Sequence, residues 1–170
     1  MTEPHDQDMR AKLEAQYDKY AERFRELFEA GQDRSREAMD KAMERAREQL
    51  AAAGEFTSEQ GEKFKQYLER DLGQAAQTMR RIGQDAYQRM APDRLRMGAL
   101  SSLSKLLDAA GDALHAWSRK AEEAAICEAG QVTSAGTLTC VKCGQVLELK
   151  KTSYIPPCPK CYGASFRKSY

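Results

Sequence analysis

Four of the chain's five cysteines come as two pairs, Cys140-Val-Lys-Cys143 and Cys158-Pro-Lys-Cys161, with 14 residues between them. No other feature restricts the fold as strongly. Two residues between cysteines let one tight turn aim both sulfurs at a single point. Gly144 and Gly163, just after the turns, supply the backbone freedom to close them. Fourteen intervening residues suffice for a strand out and a strand back. Two such turns facing each other make a tetrahedral four-sulfur site. Four thiolates suit Zn²⁺ and leave no coordination position open, so the expected cofactor is one structural zinc on Cys140, Cys143, Cys158 and Cys161.

The sequence around these turns reads as strand. The runs "GQVTSAGTLTC", "QVLELKKTSYI" and "ASFRKSY" are rich in Thr, Val, Leu, Tyr and Phe and are broken by Gly and Pro. A module of about 40 residues has too small a core to fold unaided, so metal binding is expected to supply much of its stability. Iron in the same four-sulfur set is a weaker reading, because the segment between the pairs offers few core aromatics. Thioredoxin-like redox motifs would need a βαβ context that the pattern lacks. Cys127 stands thirteen residues ahead of Cys140 with no close cysteine partner. It reads as a small apolar residue at the end of the last helix rather than as a reactive thiol.

The part ahead of the cysteines has a different period. Met9, Leu13, Tyr17, Tyr20, Phe24, Leu27 and Phe28 recur at helical spacing on one face, with charged residues elsewhere. Pro4 places the helix start near it. Gly31-Gln32-Asp33 interrupts the stripe, and Met39, Met43, Ala46 and Leu50 resume it. One long helix and two helices with a break near Gly31 both fit. Gly54 suits a helix C-terminus, and Thr57 with Gln60 suits a capping box. A third stripe runs Phe64, Leu68, Leu72, Ala75, Met79, Ile82, Ala86 and Met90 up to a break at Pro92. The fourth, Leu100, Leu103, Leu107, Ala110, Leu114, Trp117 and Ala121, alternates steps of three and four like a coiled-coil seam. Each helix has one apolar stripe and cannot bury it alone. The expected fold is therefore mainly α: an antiparallel bundle of three or four long helices, or a long helical hairpin, over 1–129, followed by a small β zinc ribbon over 130–170. The same seams would also serve a homo-oligomer.

Charge narrows the partners. Residues 1–126 carry a net −3 and residues 127–170 a net +4, with 31% of the whole chain charged. The helical faces mix both signs, as around Glu22, Arg23, Arg25 and Glu26, so a membrane-surface helix is not expected. No stretch reaches the roughly 18 apolar residues of a membrane span. The opening "MTEPHDQDMRAKLE" has no basic region followed by an apolar run, so cytoplasmic residence is the expectation. In the ribbon, Lys142, Lys150, Lys151, Lys160, Arg167 and Lys168 are candidate nucleic-acid contacts, interleaved with Tyr154, Tyr162, Phe166 and Tyr170. The competing reading is that the aromatics cover a thin core and the lysines solubilise it. His5 and His115 have no partner pattern that suggests catalysis.

Gly130-Gln131-Val132, Gly136, Leu138, the two cysteine pairs, Gly163 and Phe166-Arg167 together resemble the YbeL-like family of bacterial zinc-ribbon proteins. The stretch "GEFTSEQGEKFKQYLERDL" resembles the start of that family's second helix. The resemblance implies a bacterial cytoplasmic protein with N-terminal helices, a C-terminal ribbon and metal roles for the four paired cysteines. It implies no activity. Tyr162, between Cys161 and Gly163, departs from the commoner Cys-Gly knuckle. The expected role is that of a non-enzymatic interaction factor with a protein partner. The alternative is a nucleic-acid-associated factor at RNA polymerase or the ribosome, since a helical hairpin joined to a four-cysteine finger is also the layout of polymerase secondary-channel regulators.

Overall fold

The computed structural model describes residues 4–33, 35–82 and 126–169. Within them the chain forms three helices followed by six short strands. The expected fourth seam from Leu100 to Ala121, the break at Pro92, Ala86, Met90 and His115, with the side chains of Met79, Ile82 and His5, lie outside the described residues.

Helix α1 spans Pro4–Ala30. Its Tyr17, Tyr20, Phe24 and Phe28 are buried, Leu13 and Leu27 pack at the edge of the same core, and Met9 is exposed. The break near Gly31 is real. Asp33 Oδ1 accepts from the Ser35 N–H at 2.8 Å and its Oδ2 from the Ser35 hydroxyl at 2.9 Å. Ser35 Oγ in turn accepts from the Ala38 N–H at 3.2 Å, capping the next helix. Helix α2, Arg36–Ala52, therefore runs back along α1 instead of continuing it, and buries Met39, Ala42, Met43 and Ala46. The antiparallel pairing shows in Lys19 with Glu55, Arg23 with Gln49, and Tyr20 Oη donating to the Met43 carbonyl at 3.1 Å.

Helix α2 ends as Gly54 suggested. With Gly54 at φ 76°, its N–H reaches the Ala51 carbonyl and the Glu55 N–H reaches that of Leu50, both at 3.0 Å. Helix α3, Ser58–Ile82, opens on the expected reciprocal box: the Thr57 N–H donates to Gln60 Oε1 at 3.0 Å and the Gln60 N–H to Thr57 Oγ1 at 3.2 Å. It buries Phe64, Leu68, Leu72 and Ala75. Between α2 and α3, Phe56 turns inward and meets Tyr20 and Phe64 edge-on, with centroids 6.3 and 5.4 Å away. Gly61 makes room for it. A Cβ there would stand 2.7 Å from the Phe56 ring and 2.9 Å from Arg47 Cγ.

The strands are β1 (Ile126–Glu128), β2 (Val132–Thr133), β3 (Gly136–Cys140), β4 (Val146–Leu149), β5 (Ser153–Tyr154) and β6 (Ser165–Ser169). They build an antiparallel sheet in the order β1-β6-β3-β4 and a small pair β2-β5. The sheet begins at Ile126, ahead of the expected ribbon boundary at residue 130. Cys127 sits in β1 opposite Phe166, not at a helix end, and is fully buried. Strand alternation puts Cys127, Phe166, Cys140, Leu138 and Lys168 on the inner face, while Ile126, Glu128, Arg167 and Ser169 face out. The ribbon core is thin: Cys127, Leu138, Cys140, Ile155, Cys158 and Phe166.

Helices and ribbon share a buried charged junction. Asp71, in α3, is wholly buried. Its carboxylate accepts from Arg70 (Nη2, 3.0 Å), Tyr17 Oη (3.0 Å), Thr133 Oγ1 (2.9 Å) and the Ser134 N–H (2.7 Å). Lys168 Nζ, from β6, stands 3.3 Å away and donates to Thr133 Oγ1 at 2.8 Å and Ser134 Oγ at 2.7 Å. Arg70 also donates to the Val132 carbonyl at 3.0 Å and to Gln131 Oε1. Val132 joins the helical core itself. A second contact lies on α1, where Glu14 accepts from the Tyr154 N–H at 2.9 Å and Arg10 lies over the Tyr154 ring.

Burial alone would raise the Asp71 pKa. Lys168 and Arg70, then the Ser134 N–H and the Thr133 hydroxyl, overcome it and hold the carboxyl at about 2. Burial pushes Lys168 down to about 8 against the pull of Asp71, and the nearby Arg70 cation adds to the lowering. A lowered acid pKa contributes stability above pH 3.8, its unfolded value, and that contribution fades as pH falls toward 2. Asp71→Asn is expected to destabilise the chain by about 3–5 kcal/mol at pH 7, since it strands two buried cations. The deficit should shrink as pH falls below about 4; urea unfolding at pH 7 and pH 3 checks both. Gly61→Ala should cost about 1–3 kcal/mol by displacing Phe56, despite the better helix propensity of Ala, and thermal melting measures it.

Candidate metal centre

The two cysteine turns are built alike. In the first, the Gly144 N–H bonds the Cys140 carbonyl at 2.9 Å and the Cys140 N–H bonds the Gln145 carbonyl at 2.8 Å. In the second, the Tyr162 N–H bonds the Cys158 carbonyl and the Cys158 N–H bonds the Gly163 carbonyl, both at 2.9 Å. The offsets match residue for residue. Gly144, at φ 72°, therefore corresponds to Tyr162, at φ 57°, and not to Gly163. Gly163 serves in another way: a Cβ there would lie 3.3 Å from Cys161 Sγ and 3.4 Å from Cys140 Sγ. It leaves space for the sulfurs rather than supplying a positive φ.

All four sulfurs lie within 4.8 Å of one another. Cys140 and Cys161 are 3.6 Å apart, as are Cys143 and Cys158. A tetrahedron with Zn–S bonds near 2.3 Å has edges of about 3.8 Å, so the cage fits the ion. The separations exclude disulfides, whose sulfurs stand about 2.05 Å apart. With four protein donors the site is closed and structural.

The protonation pattern shows why a dication belongs there. Burial opposes ionisation of Cys158, but the backbone N–H groups of Cys161 and Lys160 point at its sulfur and bring the thiol down to about 7. Cys161 goes the other way, to about 12. The Gly163 N–H favours its thiolate, but the neighbouring thiols Cys143, Cys140 and Cys158 outweigh that donor, together with burial. Four thiolates cannot gather in this cage without a dication to compensate them. Zinc with four thiolates carries a formal −2. Lys142 and Lys160, one inside each turn, supply two exposed positive charges beside it.

The other expected site residues divide between the surface and the interior. Lys142 and Lys150 are exposed at opposite ends of the β3–β4 hairpin, and Arg167 is exposed on the outer face of β6. Lys151 pairs with Glu14 of α1 at 3.3 Å. Lys168 is a correction: its ammonium is buried against Asp71 and is not a surface contact. Its phase gives the signal, two residues beyond Phe166 and so on the same strand face. Cys127 is packed against Phe166 with the Gln74 amide 3.9 Å from its sulfur, and burial pushes its thiol pKa up, which suits an inert core residue.

No curated protein and no solved structure matches the chain. A zinc-ribbon containing domain matches residues 26–169, covering all three helices in part or whole as well as the ribbon. Zinc should be present at one per chain. In the loaded protein iodoacetamide should label none of the five cysteines rapidly, Cys127 included, and after chelation at least the four ligands. Mass spectrometry of the alkylated chain counts them. The match over most of its length and the fit of the four-sulfur cage place this chain in the zinc-ribbon containing domain family.

Proposed function

We propose that the protein is a non-enzymatic interaction factor that meets a protein partner at the tip of its ribbon. Tyr162 carries this reading. It is 83% exposed and adopts a left-handed backbone conformation, although the equivalent place in the other turn is taken by a glycine. A non-glycine residue there costs about 1 kcal/mol. Folding draws no return from an aromatic ring in water, so the ring serves a contact. Val141, in the opposite turn, is about half exposed. The tip thus presents an aliphatic and an aromatic side chain on a rigid metal-held base, with Lys142 and Lys160 beside them. The closed metal site offers no position for a substrate, which supports a non-enzymatic role. Cytoplasmic residence and membership of the YbeL-like branch belong to the same reading.

A nucleic-acid-associated role at RNA polymerase or the ribosome ranks second. Lys168 is withdrawn from the surface, Lys151 is paired, and the charge of Lys142 and Lys160 offsets that of the zinc thiolates. Steeply salt-dependent binding to RNA or DNA, lost on neutralising Lys150 and Arg167, would move it ahead.

Tyr162→Gly separates contact from fold. It should keep zinc and match or exceed the wild-type stability by up to about 1 kcal/mol. A photo-crosslinker placed at position 141 in the native host should capture a partner with wild type and lose it with the variant. An unchanged crosslink pattern rejects the tip as the contact.

A further inference from the structure

The ribbon reaches Asp71 by two arms, and each arm is anchored at a zinc ligand. The first is β6. Cys140 pairs with Phe166, and Leu138 with Lys168, so the register that seats Phe166 beside a ligand also turns Lys168 inward to Asp71. The second runs back from Cys158. Ile155, three residues earlier, donates its N–H to the Gln131 carbonyl at 2.8 Å and accepts from Gly130 at 2.9 Å. That clasp holds the segment whose Thr133 and Ser134 bind the Asp71 carboxylate. Of the six residues buried in the ribbon core, Cys140 and Cys158 are themselves ligands. Little apolar material remains to hold either arm once the metal leaves. On the helical side, the donors that stay with Asp71 are Arg70 and Tyr17. The helices share an aromatic core of their own, from Tyr20 and Phe24 to Phe56 and Phe64, whose contacts are not made through the metal site.

We infer that the ribbon is a zinc-dependent clamp on the helices: metal binding at the four cysteines and closure of the Asp71 junction between α1, α3 and the ribbon are one linked equilibrium. Zinc seats Lys168, Thr133 and Ser134 on Asp71. Asp71 and Tyr17, in turn, are positioning residues for zinc retention, although neither touches the metal. Loss of zinc opens the junction and changes the surface that α1 and α3 present, while the α1–α2 pairing persists. Linkage requires both directions to have the same size, and couplings of this kind commonly span about 5- to 150-fold.

The full-length chain tests both directions. In wild type, stripping zinc with a chelator should speed amide hydrogen exchange about tenfold or more around Tyr17 and across 68–75, with a much smaller change across 39–46. Adding zinc back should restore protection. In the reciprocal arm, zinc affinity, measured by equilibrium competition with a chromophoric chelator, should be about tenfold or more weaker in Asp71→Asn. Tyr17→Phe, which keeps the buried ring and removes the hydroxyl that donates to Asp71, should show a smaller weakening with unchanged helical circular dichroism. Tyr17→Phe carries the reciprocal test if Asp71→Asn fails to fold. Exchange around Tyr17 that ignores zinc, or a Tyr17→Phe zinc affinity equal to wild type, overturns the clamp.

Discussion

A carboxylate with no access to water must be surrounded by donors, and much of this structure follows from meeting that demand at Asp71. Its partners come from α1, α3, β6 and the segment at Thr133–Ser134. An isolated buried charge would cost many kcal/mol, and removing one member of a paired set strands the others. The junction therefore tolerates one arrangement of helices and ribbon and penalises displaced ones. Apolar packing is less particular. Val132 could slide across the helical core at modest cost, whereas the donors around Asp71 cannot shift together.

The zinc site meets a similar demand by other means. The ribbon has one buried phenylalanine and few aliphatic residues, too little to order its six short strands. The metal supplies the missing cohesion, and the matched turns bring the sulfurs to it from opposite sides. Charge recurs as the organising theme. A cage of thiolates accepts a dication, and a cage of cations and hydroxyls accepts a carboxylate. β3 and β6 run between the two.

Much of the helical region was legible from spacing. Tyr17, Tyr20, Phe24, Phe28, Met39, Met43, Phe64, Leu68 and Leu72 stand at the buried phase, and all are buried. The capping box at Thr57 and the stop at Gly54 were legible because such signals are local. The ligands were legible for the same reason. The choice at Gly31 was not, because the eleven residues from Phe28 to Met39 keep phase in a continuous helix and are equally compatible with a reversal. The Asp33–Ser35 bonds and the shared aromatic core select the reversal. Asp71 and Lys168 were overlooked as core because charged residues are read by default as solvated. Their positions carry the signal: Asp71 is three residues after Leu68 and four before Ala75, and Lys168 is two after Phe166.

Position along the chain thus determined the elements, their ends and the metal ligands, since each depends on residues within a turn or two of one another. Phase turns Asp71 and Lys168 inward, but only tertiary structure decided that their charges can stay there. That depends on donors more than sixty residues away in the chain, such as Ser134 for Asp71. A pair of cysteines defines a turn by itself, but a buried carboxylate defines a site only when distant strands arrive to satisfy it.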